Sequence, residues 1–135
     1  MIQNDADAIS DLLSTAKTIA VVGLSSKTSR PSYGVASMLQ SSGYRIFPVN
    51  PNETRILGET CYATLEQIPE KIDIVDIFRR SEFVSEVVDA AIRIHPRAIW
   101  MQEGVFDEVS AERARQAGIL VIMDSCIAVE IYRRR

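Results

Sequence analysis

The chain has 135 residues, 47% hydrophobic and 24% charged, with a net charge of −3 at neutral pH. Those numbers fit one soluble globular domain with its own core. They exclude a general nucleic-acid binder, which needs a basic face to neutralise phosphates, and no apolar stretch approaches the about 20 residues of a membrane helix.

Asp7 to Ala16 carries Ile9, Leu12, Leu13 and Ala16 at helical spacing behind an acidic first turn, which predicts a leading helix. Thr18–Val22 is a short apolar strand. Pro31 opens a second helix with Val35, Met38 and Leu39 on one face and Gly43 as its stop. Arg45–Val49 is the second strand, closed by Asn50-Pro51, and residues 52 to 62 read as a loop turning at Gly58. Thr64 is the expected cap of a short helix, Leu65–Ile68, ended by Pro69. Asp73–Phe78 is the third strand and Glu82–Ile94 the next helix, with Val84, Val87, Val88, Ala91 and Ile92 on its apolar face. Ala98–Met101, the helix from Asp107 to Ala117, and Ile119–Met123 complete the alternation, before a final helical turn from Ser125. Arg133-Arg134-Arg135 reads as a solvated tail.

Met1 to Asp5 shows neither the basic nor the apolar region of a secretory signal. Cys61 and Cys126 lack CxxC or metal spacing, and the single histidine, His95, excludes a His-rich metal site. The expected setting is cytoplasmic, with free thiols.

Strands without polar alternation are buried on both faces, so the sheet should be parallel. Right-handed crossovers then make a doubly wound, Rossmann-like α/β domain of three layers and five strands spanning residues 1–135. The expected strand order is 3-2-1-4-5, with a ligand crevice between the first and fourth strands at their C-terminal ends. Gly23, Ser25, Ser26, Lys27, Arg30, Pro31, Ser32 and Tyr33 lie where the first strand hands over to a helix N-terminus, a place suited to a phosphate. Asn50-Pro51, Arg79-Arg80, Gln102-Glu103-Gly104 and Asp124-Ser125-Cys126 follow the other strands. The loop matches neither G-x-G-x-x-G nor a P-loop. A neutral Asn50, where an NAD site places an acid, and cations at Lys27, Arg30, Arg79 and Arg80 favour a ligand more anionic than NAD. Coenzyme A and NADP both answer to that description.

Five motifs in order, G-L-S-x(4)-R-P-S-Y at 23–33, P-V-N-P at 48–51, D-I-V-D-I-F-R-R at 73–80, W-M-Q-E-G-V at 100–105 and M-D-S-C at 123–126, resemble the small CoA-binding-domain proteins of bacteria and archaea. These are similar to the N-terminal CoA-binding domain of the succinyl-CoA ligase alpha subunit. The resemblance implies CoA or an acyl-CoA as ligand. Gly23, Ser25, Ser26, Arg30, Pro31 and Ser32 would face the pyrophosphate, and Asn50 and Pro51 the adenosine. Phe78 and Arg79 would line the adenine or pantetheine path, Gln102 and Gly104 the pantetheine side, and Cys126 the thiol end. Two departures stand out: Ser25 and Ser26 replace the closely spaced glycines of the ligase loop, and Glu53, with Arg55 beyond it, stands where the ligase has a lysine.

Competing structural roles are plain for several of these residues. Tyr33 can stack on a ligand or pack as a staple. Trp100 reads as core and His95 as an exposed turn residue. Cys126 is either a packed thiol or one that meets the thiol of CoA. With no nucleophile–base pair in the sequence, the expected protein is a non-catalytic CoA holder for sensing, storage or delivery, with any protein partner unidentified. An NADP-dependent oxidoreductase, with Tyr33 as proton donor, and a ligand-free interaction module are the alternatives.

Overall fold

Five apolar segments of three to five residues pair in parallel across the middle of the molecule, and helices cover both faces. The computed structural model describes residues 5–134; the expectations for Met1 to Asn4 and for Arg135 lie outside it. In chain order the elements are α1 (Ala6–Thr15), β1 (Thr18–Val22), α2 (Pro31–Ser41), β2 (Arg45–Val49), β3 (Arg55–Ile56), β4 (Glu59–Thr60), β5 (Ile74–Ile77), α3 (Val84–Ile94), β6 (Ala98–Met101), α4 (Glu108–Gln116), β7 (Leu120–Ile122) and α5 (Ile127–Arg133). Among the described residues no helix is long and apolar enough to cross a membrane.

Alternate residues of each strand feed two cores. Ile19, Val21, Ile74 and Trp100 pack beneath α1, α2 and α5 through Leu12, Leu13, Ala36, Leu39, Ile127 and Ile131. Ala20, Val22, Val75, Ile77 and Ile99 pack beneath α3 and α4 through Val84, Val88, Ala91, Ala111 and Ala114. The Asp5 side chain caps α1 by accepting from the Asp7 and Ala8 N–H groups, and Asp107 caps α4 by accepting from Ser110 N–H. Trp100 is fully buried, as its apolar strand implies. His95 is the exposed C-cap of α3.

The strand order is β2-β1-β5-β6-β7. Counting only the five strands of the main sheet, that is 2-1-3-4-5, not the expected 3-2-1-4-5. The reason lies in the connection from β2 to β5. Its apolar residues Leu65, Ile68 and Ile72 join the core under α3 and α4, on the face opposite α2. A right-handed crossover on that face must travel back past β1 rather than outward from β2. The topological switch therefore falls between β1 and β5, and the crevice moves with it.

Three local expectations also change. Residues 52 to 62 contain a hairpin, β3–β4, turned by Leu57 and Gly58 at φ 54° and 78°, the left-handed pair that a two-residue hairpin turn requires. Thr64 makes no side-chain cap; instead Gln67 Oε1 accepts from Ala63 N–H at 3.0 Å. Arg133 and Arg134 are exposed, as a solvated tail would be, but they are tied down: both pair with Glu130, and Arg134 Nε donates to Ser10 Oγ at 2.8 Å.

Candidate functional site

At the switch, Phe78 N–H donates to Val22 O at 2.8 Å and Gly23 N–H to Val49 O at 2.9 Å, so β2, β1 and β5 stay stitched one residue beyond their ends. Gly23 has φ +85°, and a Cβ there would stand 2.2 Å from the Phe78 carbonyl oxygen. Only glycine permits both the backbone conformation and the approach. The Arg79 side chain lies across the same spot, with its Cδ 3.1 Å from that Cβ position and its guanidinium 4.7 Å from the centre of the Phe83 ring, a cation–π distance. Two cavities of 730 and 930 Å³ meet over this floor and share Gly23, Arg30, Phe78, Arg79 and Arg80 as walls. They form one trough across the C-terminal ends of β1 and β5.

The loop from Gly23 to α2 is held by its own hydroxyls. Ser25 N–H donates to Ser32 Oγ and Lys27 N–H to Ser25 Oγ, each at 3.0 Å. Pro31 occupies the first turn of α2, which holds no acid, so its positive end is left open to an anion. Asn50 fastens this loop to the next: Nδ2 donates to Leu24 O at 3.0 Å, and Oδ1 accepts from Asn52 N–H at 2.9 Å. Asn50 lines the trough, yet both ends of its amide hold protein.

The opposite wall is tied in the same way. Gly104 N–H donates to Asp124 Oδ1 at 2.8 Å, Asp124 N–H to Val105 O at 3.2 Å, and Trp100 Nε1 to Ser125 O at 2.8 Å. Gln102, only 4% exposed, accepts from Ile127 N–H through Oε1 at 3.1 Å and so docks the start of α5. Cys126, the residue before α5, is half-buried beside it.

Arg45, Arg93, Arg97, Arg113, Arg115, Arg133 and Arg134 each pair with a carboxylate. Among the described residues, Lys27, Arg30 and Arg79 pair with none, and Arg80 reaches Glu82 only at 3.9 Å. Lys17, Arg55 and Lys71, outside the trough, also form no ion pair among the described residues; the cations of the trough differ in sharing one concavity. Cations left unneutralised around one concavity attract a polyanion. One titratable group beneath this region is anomalous. Asp76, mid-sheet on β5 between Val21 and Trp100, is fully buried, and neither carboxylate oxygen has a hydrogen-bond partner. Burial holds its pKa well above the usual carboxylate range.

Gly23, Ser25, Lys27, Arg30, Pro31, Ser32, Phe78, Arg79, Gln102, Gly104 and Cys126 line the first cavity, and Asn50 and Pro51 line the second. Ser26 and Tyr33 line neither. Ser26 Oγ turns away to donate to Glu53 Oε2 at 2.6 Å, and Tyr33 packs against the core under α2. Arg55, beyond the ligase lysine position, sits on the β3–β4 hairpin and donates to Gly58 O. Sequence reasoning missed Val35 and Val105 in the first cavity and Thr64, Leu65, Glu66 and Arg93 in the second. Val35 follows the ordinary core periodicity of α2, and Leu65 is an apolar residue of an irregular connection, so neither announces itself as a wall residue.

YneT of Bacillus subtilis, itself uncharacterized, is 39% identical over 128 residues, covering 94% of this chain and 95% of that one. ADP-forming acetate–CoA ligase II of Archaeoglobus fulgidus is 34% identical over 74 residues, which is 53% of this chain but 11% of the ligase. The solved structure of a hypothetical protein from Pyrococcus horikoshii superposes with a TM-score of 0.93 at 31% identity, covering 98% of this chain and 96% of that one. The family described as the CoA binding domain matches residues 17–132. With its glycine floor, its open helix start and its unpaired cations, the chain belongs to the CoA binding domain family.

Proposed function

We propose that the trough holds coenzyme A, free or acylated, and that this chain binds and presents it without transforming it. The observation that carries the reading is the set of cations without acid partners, Lys27, Arg30 and Arg79, gathered over the Gly23 floor. The pyrophosphate suits the centre, against the first turn of α2. The adenosine half then extends toward Asn50, Pro51 and Leu65, and the pantetheine arm toward Val35, Gln102 and Cys126. Bound there, CoA supplies a thiol that carries acyl groups.

A holding role is supported by the acids of the trough, of which only Glu103 lines the cavity that takes the arm. The acids lining the trough among the described residues are Glu66, Glu86 and Glu103, and Arg93 already engages Glu66 at 2.7 Å. His95 lies before β6, at the opposite edge of the sheet. The acetate–CoA ligase relative is mostly protein that this chain does not match. Hydride transfer from NADP loses its named proton donor, because Tyr33 packs away from the trough. Sensing, storage and delivery to a partner all fit a carrier of this kind.

Isothermal titration tests the reading. The protein is unfolded and refolded to strip carried-over ligand, then titrated with CoA, 3′-dephospho-CoA, NADP and NAD. CoA should bind most tightly, and removing its 3′-phosphate should weaken it. Equal affinity for NADP, or no nucleotide binding at all, would overturn the assignment.

A further inference from the structure

Resting on the CoA reading above, we infer that Cys126 is a thiol-exchange site that the trough directs toward the disulfide form of coenzyme A. The two ends of the trough differ. Beyond the shared cationic centre, one end is the more polar, with Asn50, Thr64 and Glu66 beside Val49 and Leu65; the other has Val35 and Val105 as apolar walls, with Gln102, Glu103 and Cys126 among its polar groups. A ligand with phosphates at the centre and a base at the polar end puts its amide-bearing thiol arm at the other.

Gln102 independently marks that end as made for a ligand. It is 4% exposed and lines the cavity. Its Oε1 is turned to Ile127 N–H at 3.1 Å, which fixes the orientation of the amide. Its Nε2 donates to nothing among the described residues, and Ile127, the partner of its Oε1, directly follows Cys126. Because Gln102 lines the cavity, a ligand entering there can supply the acceptor that this N–H group lacks. A pantetheine amide carbonyl is such an acceptor, and binding it would hold the adjoining sulfur against Cys126.

Cys61 provides the contrast. Its thiol donates to Asn50 O at 3.4 Å, burial pushes its pKa up, and it lines neither cavity.

The step balances without a further oxidant. Cys126 loses its proton to solvent, and its sulfur attacks one sulfur of the CoA disulfide. The disulfide bond breaks, a new bond joins Cys126 to one CoA, and the second CoA leaves as a thiolate with the electron pair and takes up a proton. Cys126 is oxidised and the departing CoA is reduced.

The test uses the full chain, refolded to strip ligand, with CoA disulfide or glutathione disulfide as probe and intact mass read without reductant. CoA disulfide should add one CoA moiety to Cys126, reversible by dithiothreitol, about tenfold or more faster than glutathione disulfide reacts, because prior binding raises the effective concentration. Cys126→Ser should abolish the adduct, and Cys61→Ser should leave it. Gln102→Glu keeps an oxygen for Ile127 N–H but removes the donor. It should lower the ratio of the two rates, a quantity that cancels any change in the thiol itself. Equal rates with both disulfides, or an adduct on Cys61, would overturn the proposal, and an unchanged ratio in Gln102→Glu would remove Gln102 from it. Titrating Cys126→Ser with reduced CoA separates the two readings. Tight binding by this variant, with no adduct on the wild-type chain, rejects the exchange site and leaves the CoA reading standing; no binding and no adduct rejects both.

Discussion

Gly23→Ala should be the most damaging small substitution in this chain. A Cβ at φ +85° costs about 1–2 kcal/mol in left-handed backbone. The same atom would stand 2.2 Å from the Phe78 carbonyl oxygen. That neighbour is backbone in a hydrogen-bonded strand end, so relief requires moving β1 away from β5, at about 1–3 kcal/mol by analogy with overpacked cores. The sum, about 2–5 kcal/mol, is a large share of the roughly 5–15 kcal/mol that holds a domain folded. At about 4 °C per kcal/mol for a domain near this size, Tm should fall by roughly 8–20 °C. Two controls isolate the cause. Gly43 has φ +99° with no atom within 4 Å of its Cβ position, so Gly43→Ala carries backbone strain alone. Gly34 lies inside α2 with equally open surroundings, so Gly34→Ala should gain about 0.5–1 kcal/mol. Urea and thermal melts of the three variants give the comparison. If Gly23→Ala is no less stable than Gly43→Ala, the close approach to Phe78 does not constrain the floor and the argument for it fails.

Other substitutions report on separate parts of the site. Arg30→Ala and Arg79→Ala should each weaken CoA by about 1.5–3 kcal/mol, roughly ten- to a hundredfold in Kd, with a shallower salt dependence; calorimetric titration at two ionic strengths checks both. Asn50→Ala removes the bonds to Leu24 O and Asn52 N–H and should cost about 1–3 kcal/mol in urea unfolding, with CoA affinity falling as the loop loosens. Asp76→Asn reports on the buried carboxyl. Its folded pKa is raised by burial, so the native state keeps a proton that the unfolded chain releases above about pH 4. Wild-type stability from this group is therefore full below that pH and declines as pH rises toward the folded value. The variant's urea midpoint should exceed the wild type's at pH 8 and converge with it at pH 4; parallel pH profiles would show that Asp76 does not titrate with folding.

Much of the fold is legible in the sequence because its signals are local. Pro31 and Gly43 bracket α2, Asp107 caps α4, and the apolar runs at 18–22 and 98–101 have no polar face to offer solvent. Strand order is different in kind. Handedness fixes the direction of a crossover only once its face is known, and the irregular connection between β2 and β5 has no periodicity to declare that face. Leu65, Ile68 and Ile72 decide it by where they pack. The site divides along the same line. Gly23 and the loop after it are readable because a strand followed by glycine and a helix-opening proline is a local pattern. Asn50 is readable as a trough residue but not as a brace, since its partners Leu24 O and Asn52 N–H come from two loops. Ser26 fails for a similar reason: a hydroxyl in a phosphate-type loop looks available until Glu53, brought in by another loop, takes it.

Arg134 Nη2 reaches Ala6 O at 3.4 Å while its Nε holds Ser10 Oγ, so the last helix and the first are neighbours. No residue of α1 lines the trough. The ends of the described fold thus meet at a place the ligand does not use, the arrangement that tolerates cutting and rejoining. A short linker from residue 134 to residue 5, with new ends opened after the exposed Gly58 of the β3–β4 turn, should give a circular permutant that still folds and keeps its trough. The same adjacency suits the domain to being spliced as a cassette into a longer chain.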